Sequence, residues 1–154
     1  MDAAIVINAL LCIVGVIAIF KSLARDLSPL SRAACTALLV LPPLGALCAG
    51  VFNLTSFTLH SAGAQLAYGA PTIVFPAAGL ILRRLSDWRQ LATAMIVGGL
   101  TTLIVLDALI LNASAISKGT TGLWQRLLCT EILAWYVLLG WQAFRLHQSD
   151  RTMN

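Results

Sequence analysis

Apolar residues run through this chain in five stretches, each long enough to cross a bilayer, and polar residues gather in the short intervals between them. A spanning helix needs roughly 20 mostly apolar residues. The stretches that qualify are 3–20, 33–52, 60–82, 91–112 and 123–144. Lys21 closes the first, Arg83 and Arg84 follow the third, and Arg145 follows the fifth. Intervals of about ten residues make consecutive helices antiparallel neighbours. The pattern predicts an all-α integral membrane protein: one domain over residues 1–154, folded as a compact bundle of five transmembrane helices.

Composition agrees with that pattern. Of 154 residues, 59% are apolar and 10% charged, too little polar surface for an ordinary soluble domain. The lipid bilayer is then the chain's main partner. The first stretch follows Met1-Asp2 without a cationic segment, and Lys21 interrupts any cleavage site. It reads as a retained helix, not a secretory signal.

Charge sets an orientation. Eight of the ten Lys and Arg residues (Lys21, Arg25, Arg32, Arg83, Arg84, Arg89, Arg145 and Arg151) fall in three segments that five crossings put on one side. The loops of the other side hold only Lys118 as a fixed cation. The excess predicts an outside N-terminus, a cytoplasmic C-terminus and a multi-pass plasma-membrane protein. The net charge of +4 sits in short juxtamembrane turns, with no basic helix and no interleaved aromatic platform. Anionic headgroups account for it, and nucleic acid is not an expected partner.

Pro42 and Pro43 fall mid-span, where a missing donor and a ring clash should bend the second helix and free carbonyls for neighbouring helices. Pro71 and Pro76 predict a second bent or partly unwound helix in the third span. Gly45 with Ala49, Ala46 with Gly50, and Gly98 with Thr102 are small-xxx-small pairs that let backbones approach. Trp88, Trp124 and Trp141 lie near span ends and read as interfacial anchors, with Trp135 deeper. Cys12, Cys35, Cys48 and Cys129 lack metal-ligand spacing and read as soft packing residues; Cys48 and Cys129 share the outer side, which allows a disulfide.

The candidate chemistry is a polar asymmetry. Asn8, Asn53, His60, Gln65, Asp107, Asn112, Arg126 and Glu131 all map to the outer side. An ionisable group in a span is costly, so it normally faces the bundle interior and has a partner. At 1.5 Å per residue Asp107 lies about 7 Å and Glu131 about 10 Å below the outer ends of their helices. Arg126 and Glu131, five residues apart, point about 140° away from each other. Each therefore needs a partner from another span. Arg126 with Asp107 is the preferred pair, which leaves Glu131 to face His60, Asn8 or a bound ligand. One reading is an ion-pair network that fixes helix register. The other is an outward-facing polar pocket for a small molecule or lipid, with His60 and Glu131 as its titratable groups. Its candidate ligand-binding residues are Asn8, Asn53, His60, Asp107, Arg126 and Glu131.

The sequence has no HExxH, GxSxG, P-loop or dinucleotide fingerprint. One His and two acids are a thin metal set, so no metal site or catalytic residue is assigned and no cofactor is identified. An intramembrane hydrolase using His60, Asp107 and Glu131 is the least favoured class. The favoured class is a binding protein with an outward pocket and a possible proton link. An accessory structural subunit of a larger membrane complex follows closely, and a homo-oligomer suits either.

Phe52-Asn53-Leu54-Thr55, then His60-Ser61-Ala62-Gly63-Ala64, a proline-containing apolar helix and Arg83-Arg84 form a recognisable series. Gly122-Leu123-Trp124-Gln125-Arg126-Leu127, with Trp135 further along, extends it. Together they resemble the prokaryotic multi-spanning membrane family catalogued as domain of unknown function 998. The resemblance covers most of the chain and implies a prokaryotic inner-membrane bundle in which His60 and Arg126 matter. It implies no reaction. Members of that family usually have six spans, and this chain matches from about Ile5 onward, so the first helix is expected to be absent here or supplied by a partner or a second copy.

Overall fold

The computed structural model describes residues 2–22, 27–52, 56–111 and 118–153, with side chains for 3–22, 27–52, 56–107 and 123–148. The described residues are almost wholly helical, and no strand occurs among them. Six helices follow one another: α1 (Asp2–Ser22), α2 (Pro29–Val51), α3 (Phe57–Gly69), α4 (Pro71–Leu82), α5 (Arg89–Leu111) and α6 (Lys118–Met153). Four are long and apolar enough to cross a membrane, or five spans if the bent pair α3–α4 counts as one.

Local chemistry explains where each helix starts and bends. Ser28 caps α2, its hydroxyl accepting from the Ser31 N–H at 3.2 Å, and Pro29 occupies the first turn, where its missing N–H has no helical partner to lose. The helix therefore begins earlier than position 33. It also runs through Pro42 and Pro43 without a break. Pro43 cannot donate to the Leu39 carbonyl four residues back, and the Tyr136 hydroxyl of α6 donates to that oxygen at 2.9 Å. A neighbouring helix thus satisfies a carbonyl that proline has freed. Tyr136→Phe removes this donor, and a loss of about 1–2 kcal/mol is expected. A thermal melt in detergent reads it; an unchanged midpoint would mean that Leu39 has another partner.

The third expected span is a bent pair. The chain turns by 41° at Ala70, between Gly69 and Pro71. Pro71 supplies no N–H to the Ala67 carbonyl, and Thr72 donates its hydroxyl to the Gly69 carbonyl at 2.7 Å. Pro76 causes no break in α4. A deflection of 41° does not reverse the chain, so α3 and α4 continue in one general direction.

After α4 a single 3-10 turn, Ser86–Trp88, leads into α5. The Gln142 side chain of α6 donates to the Asp87 carbonyl at 2.6 Å and ties that turn to the bundle. Trp88 is 2% exposed and belongs to the buried cluster with Leu82 and Ala92. This corrects its reading as an interfacial anchor: the tight turn folds the indole inward. Trp141, by contrast, is exposed.

The centre of the bundle is aromatic. Phe75 of α4 meets Trp135 at 6.3 Å between ring centroids and Tyr136 edge-on at 5.9 Å, both within the range of favourable aromatic pairs. Val16, Phe20, Leu39, Leu82, Met95, Leu128 and Leu139 close around them. Glycines set the helix spacing where α2 crosses α3. A Cβ on Gly45 would stand 2.5 Å from the Ala67 nitrogen and 2.7 Å from the Gly63 oxygen, and one on Gly63 would stand 2.6 Å from the Ala49 nitrogen. Gly45 and Ala49 on α2 thus interlock with Gly63 and Ala67 on α3. Outside this core, Leu11, Val14, Ile104 and Val137 are exposed. So broad an apolar exterior suits an apolar solvent and suggests a multi-pass membrane protein.

Candidate functional site

Glu131 of α6 is the acid that packs between helices, and two donors hold it. It is half-buried beside the buried Leu128 and Ile132. The Thr102 hydroxyl of α5, fully buried, lies 2.8 and 2.9 Å from its two carboxyl oxygens. The Trp135 indole N–H donates to Oε1 at 2.7 Å. Among the described residues no cation pairs with this carboxyl group.

Two i,i+4 pairs build the arrangement. Glu131 and Trp135 share one face of α6, and Gly98 and Thr102 share one face of α5. Gly98 has no side chain where the Trp135 ring lies; a Cβ there would strike the indole. The small-xxx-small pair Gly98–Thr102 therefore forms a floor for the site: Gly98 admits the ring and Thr102 supplies the hydroxyl.

Proton counting shows what the site can do. The Thr102 oxygen is also 2.9 Å from the Gly98 carbonyl, yet a hydroxyl has one proton to give. With Glu131 ionised, that proton points to the carboxylate. With Glu131 protonated, the acid O–H donates to the Thr102 oxygen, and the Thr102 proton turns to the Gly98 carbonyl. Trp135 donates in both states. Rotation of a single hydroxyl thus accommodates either charge state and leaves no donor without an acceptor.

The remaining expected site residues do not gather around Glu131. His60 has its Nδ1 at 2.9 Å from the Ala49 carbonyl and 3.1 Å from the Phe52 carbonyl. As an Nδ1–H donor it caps the C-terminal end of α2, whose last carbonyls lack helical partners. Asp107 and Arg126 are both exposed, and no ion pair joins them among the described residues. The expected Asp107–Arg126 pair is corrected accordingly, as is the expectation that Glu131 faces His60 or Asn8. The physical cause is helix rotation: α6 turns its Glu131–Trp135 face to α5 and leaves Arg126 outside.

Asn8 is exposed and lies at the edge of a cavity of about 310 Å³ between α1 and α6, walled by Cys12, Gly15, Tyr136 and Gly140. Gln65 is exposed. Asn53 and Asn112 lie outside the described residues. All four cysteines are free thiols, and Cys48 directs its thiol to the Leu59 carbonyl at 3.6 Å, so the sulfur pairing with Cys129 is not formed. No group of three or more His, Cys, Asp or Glu residues suitable for a metal occurs among the described residues.

Thr102, Trp135 and Gly98 are the site members that the polar-residue reading missed. Two same-face i,i+4 pairs at matching depth on consecutive helices were the available signal. No protein-family model matches the chain, and no curated protein or solved structure matches it.

Proposed function

We propose that this chain is a polytopic plasma-membrane protein, N-terminus outside and C-terminus cytoplasmic, that binds a small molecule or lipid and couples binding to a proton on Glu131. The observation that supports this most is a carboxyl group between α5 and α6, served by two neutral donors and by no described cation. A pair that only fixed register would match the acid with a base. A proton carrier needs a site that tolerates both charge states. The charge asymmetry between the two sets of connecting segments supports the orientation.

Kinship with the multi-spanning family named above is part of the proposal and rests on the motifs around Asn53, His60 and Trp124. An accessory-subunit reading has its own support: Asp107 and Arg126 are exposed on helices that also expose Leu100, Ile104, Leu127 and Val137. Charges in that position call for a partner chain or a second copy.

Native mass spectrometry of the protein gently extracted from its own membrane tests the binding reading. A defined small molecule or lipid retained by wild type in a pH-dependent way, and retained without pH dependence by Glu131→Gln, is the expected result. Wild-type-like pH dependence in Glu131→Gln would refute the proton link. A stoichiometric foreign polypeptide in place of a small molecule would favour the accessory subunit.

A further inference from the structure

Where α1 passes over to α2, the two helices leave a groove of about 760 Å³ between them. Lys21 and Arg32 stand at its mouth, and Ile17, Phe20, Ala37 and Val40 line the rest. Ile17 is one helical turn along α1 from Lys21, and Val40 is two turns along α2 from Arg32. The groove thus has a cationic end and an apolar length.

The cationic end is unsatisfied. Arg32 makes one long contact, Nη2 to the Leu27 carbonyl at 3.4 Å. Its Nε is buried and has no acceptor, a costly condition for an N–H donor on a guanidinium. Lys21 is exposed and pairs with no described acid. The first turn of α2 carries no acidic residue, so the positive end of the helix adds to the field of both side chains. Three features point to one missing partner: an anion, supplied at a helix mouth, with an apolar extension.

We propose that this groove binds an anionic phospholipid, with the phosphate held by Arg32 and Lys21 and one acyl chain laid along Ile17, Phe20, Ala37 and Val40. Arginine suits the phosphate because its planar fork can donate to two oxygens at once. The chain-lining residues come from both helices, so an occupied groove ties α1 to α2 at the end where Leu27 and Ser28 join them. Asp26, the one acid of the connecting segment in sequence, lies outside the described residues and is included in the test.

The experiment is native mass spectrometry of the intact protein in detergent, titrated with phosphatidylglycerol or phosphatidylcholine, each with and without inorganic phosphate. Wild type should retain one phosphatidylglycerol with about tenfold or greater preference over phosphatidylcholine. Arg32→Gln should lower that retention about tenfold, and Lys21→Gln, a surface change that leaves the packing intact, several-fold. Arg84→Gln, an exposed cation of the α4–α5 connection, should leave it unchanged, as should Asp26→Asn. Equal retention of the two lipids, or an equal loss in Arg84→Gln, would reduce the effect to general headgroup attraction and overturn the proposal. Displacement of the lipid by inorganic phosphate at matching concentration would make the site one for free anions and overturn it too. A gain in retention in Asp26→Asn would assign Arg32 to Asp26 and likewise overturn it.

Discussion

Replacing Gly45 by leucine is expected to lower the stability of the bundle by about 3 kcal/mol or more, at the upper end of overpacking costs. The atoms in the way are backbone: the Ala67 nitrogen, the Gly63 oxygen and the Leu66 carbonyl carbon, all within 3 Å of where the first new carbon would stand. Backbone cannot rotate aside as a flexible side chain can. The helices α2 and α3 must separate, and the Tyr136 bond to the Leu39 carbonyl lies on the same α2. Gly15→Ala is the control, since nothing lies within 4 Å of the added carbon; it should leave stability unchanged or raise it by up to about 1 kcal/mol, the usual gain from Gly→Ala inside a helix. Thermal unfolding in one detergent, read for both variants, checks the pair. Equal midpoints would mean that the α2–α3 crossing is not as close as described.

Glu131→Ala should be nearly as damaging, costing about 3 kcal/mol from a cavity and a half-buried indole donor left without its acceptor. Glu131→Gln should cost less than about 1 kcal/mol, because its amide oxygen accepts from Trp135 and its amide N–H donates to the Thr102 oxygen. The contrast separates two uses of one residue. Stability follows the hydrogen bonds, which Gln keeps; proton exchange follows the acid, which Gln lacks. If Ala and Gln destabilise equally, the carboxyl group is not held as the distances indicate.

The helices were legible because long apolar stretches between short polar intervals mark them, and the five stretches correspond to α1, α2, the α3–α4 pair, α5 and α6. Helix rotation was not legible. On α1 the outward residues are as apolar as the inward ones: Leu11 and Val14 are exposed while Val16 and Phe20 are buried. The alternation that orients a helix in a soluble protein is therefore weak here. For that reason Asp107 and Arg126 were paired on the adjacency of their spans across a short loop, although their side chains do not meet.

The prolines show the same limit. Pro42, Pro43, Pro71 and Pro76 all signal a break, but among them only the step at Ala70–Pro71, next to Gly69, interrupts a helix, whereas Tyr136 serves the Leu39 carbonyl freed by Pro43 from a position far away in sequence. His60 is a further case. Its polarity was legible, but its role as a cap for α2 depends on how α2 and α3 lie against each other. Glu131 was correctly singled out as a group needing a partner, and the partner was a hydroxyl and an indole in place of a charge.

Infrared spectroscopy of the reconstituted protein across pH tests the proton-carrying role of Glu131 most directly, because a protonated carboxyl group and a carboxylate absorb at different frequencies. A pH-dependent carboxyl component that is lost in the difference between wild type and Glu131→Gln and kept in Asp107→Asn is the expected result. A spectrum with no difference between wild type and Glu131→Gln at any pH would contradict that role.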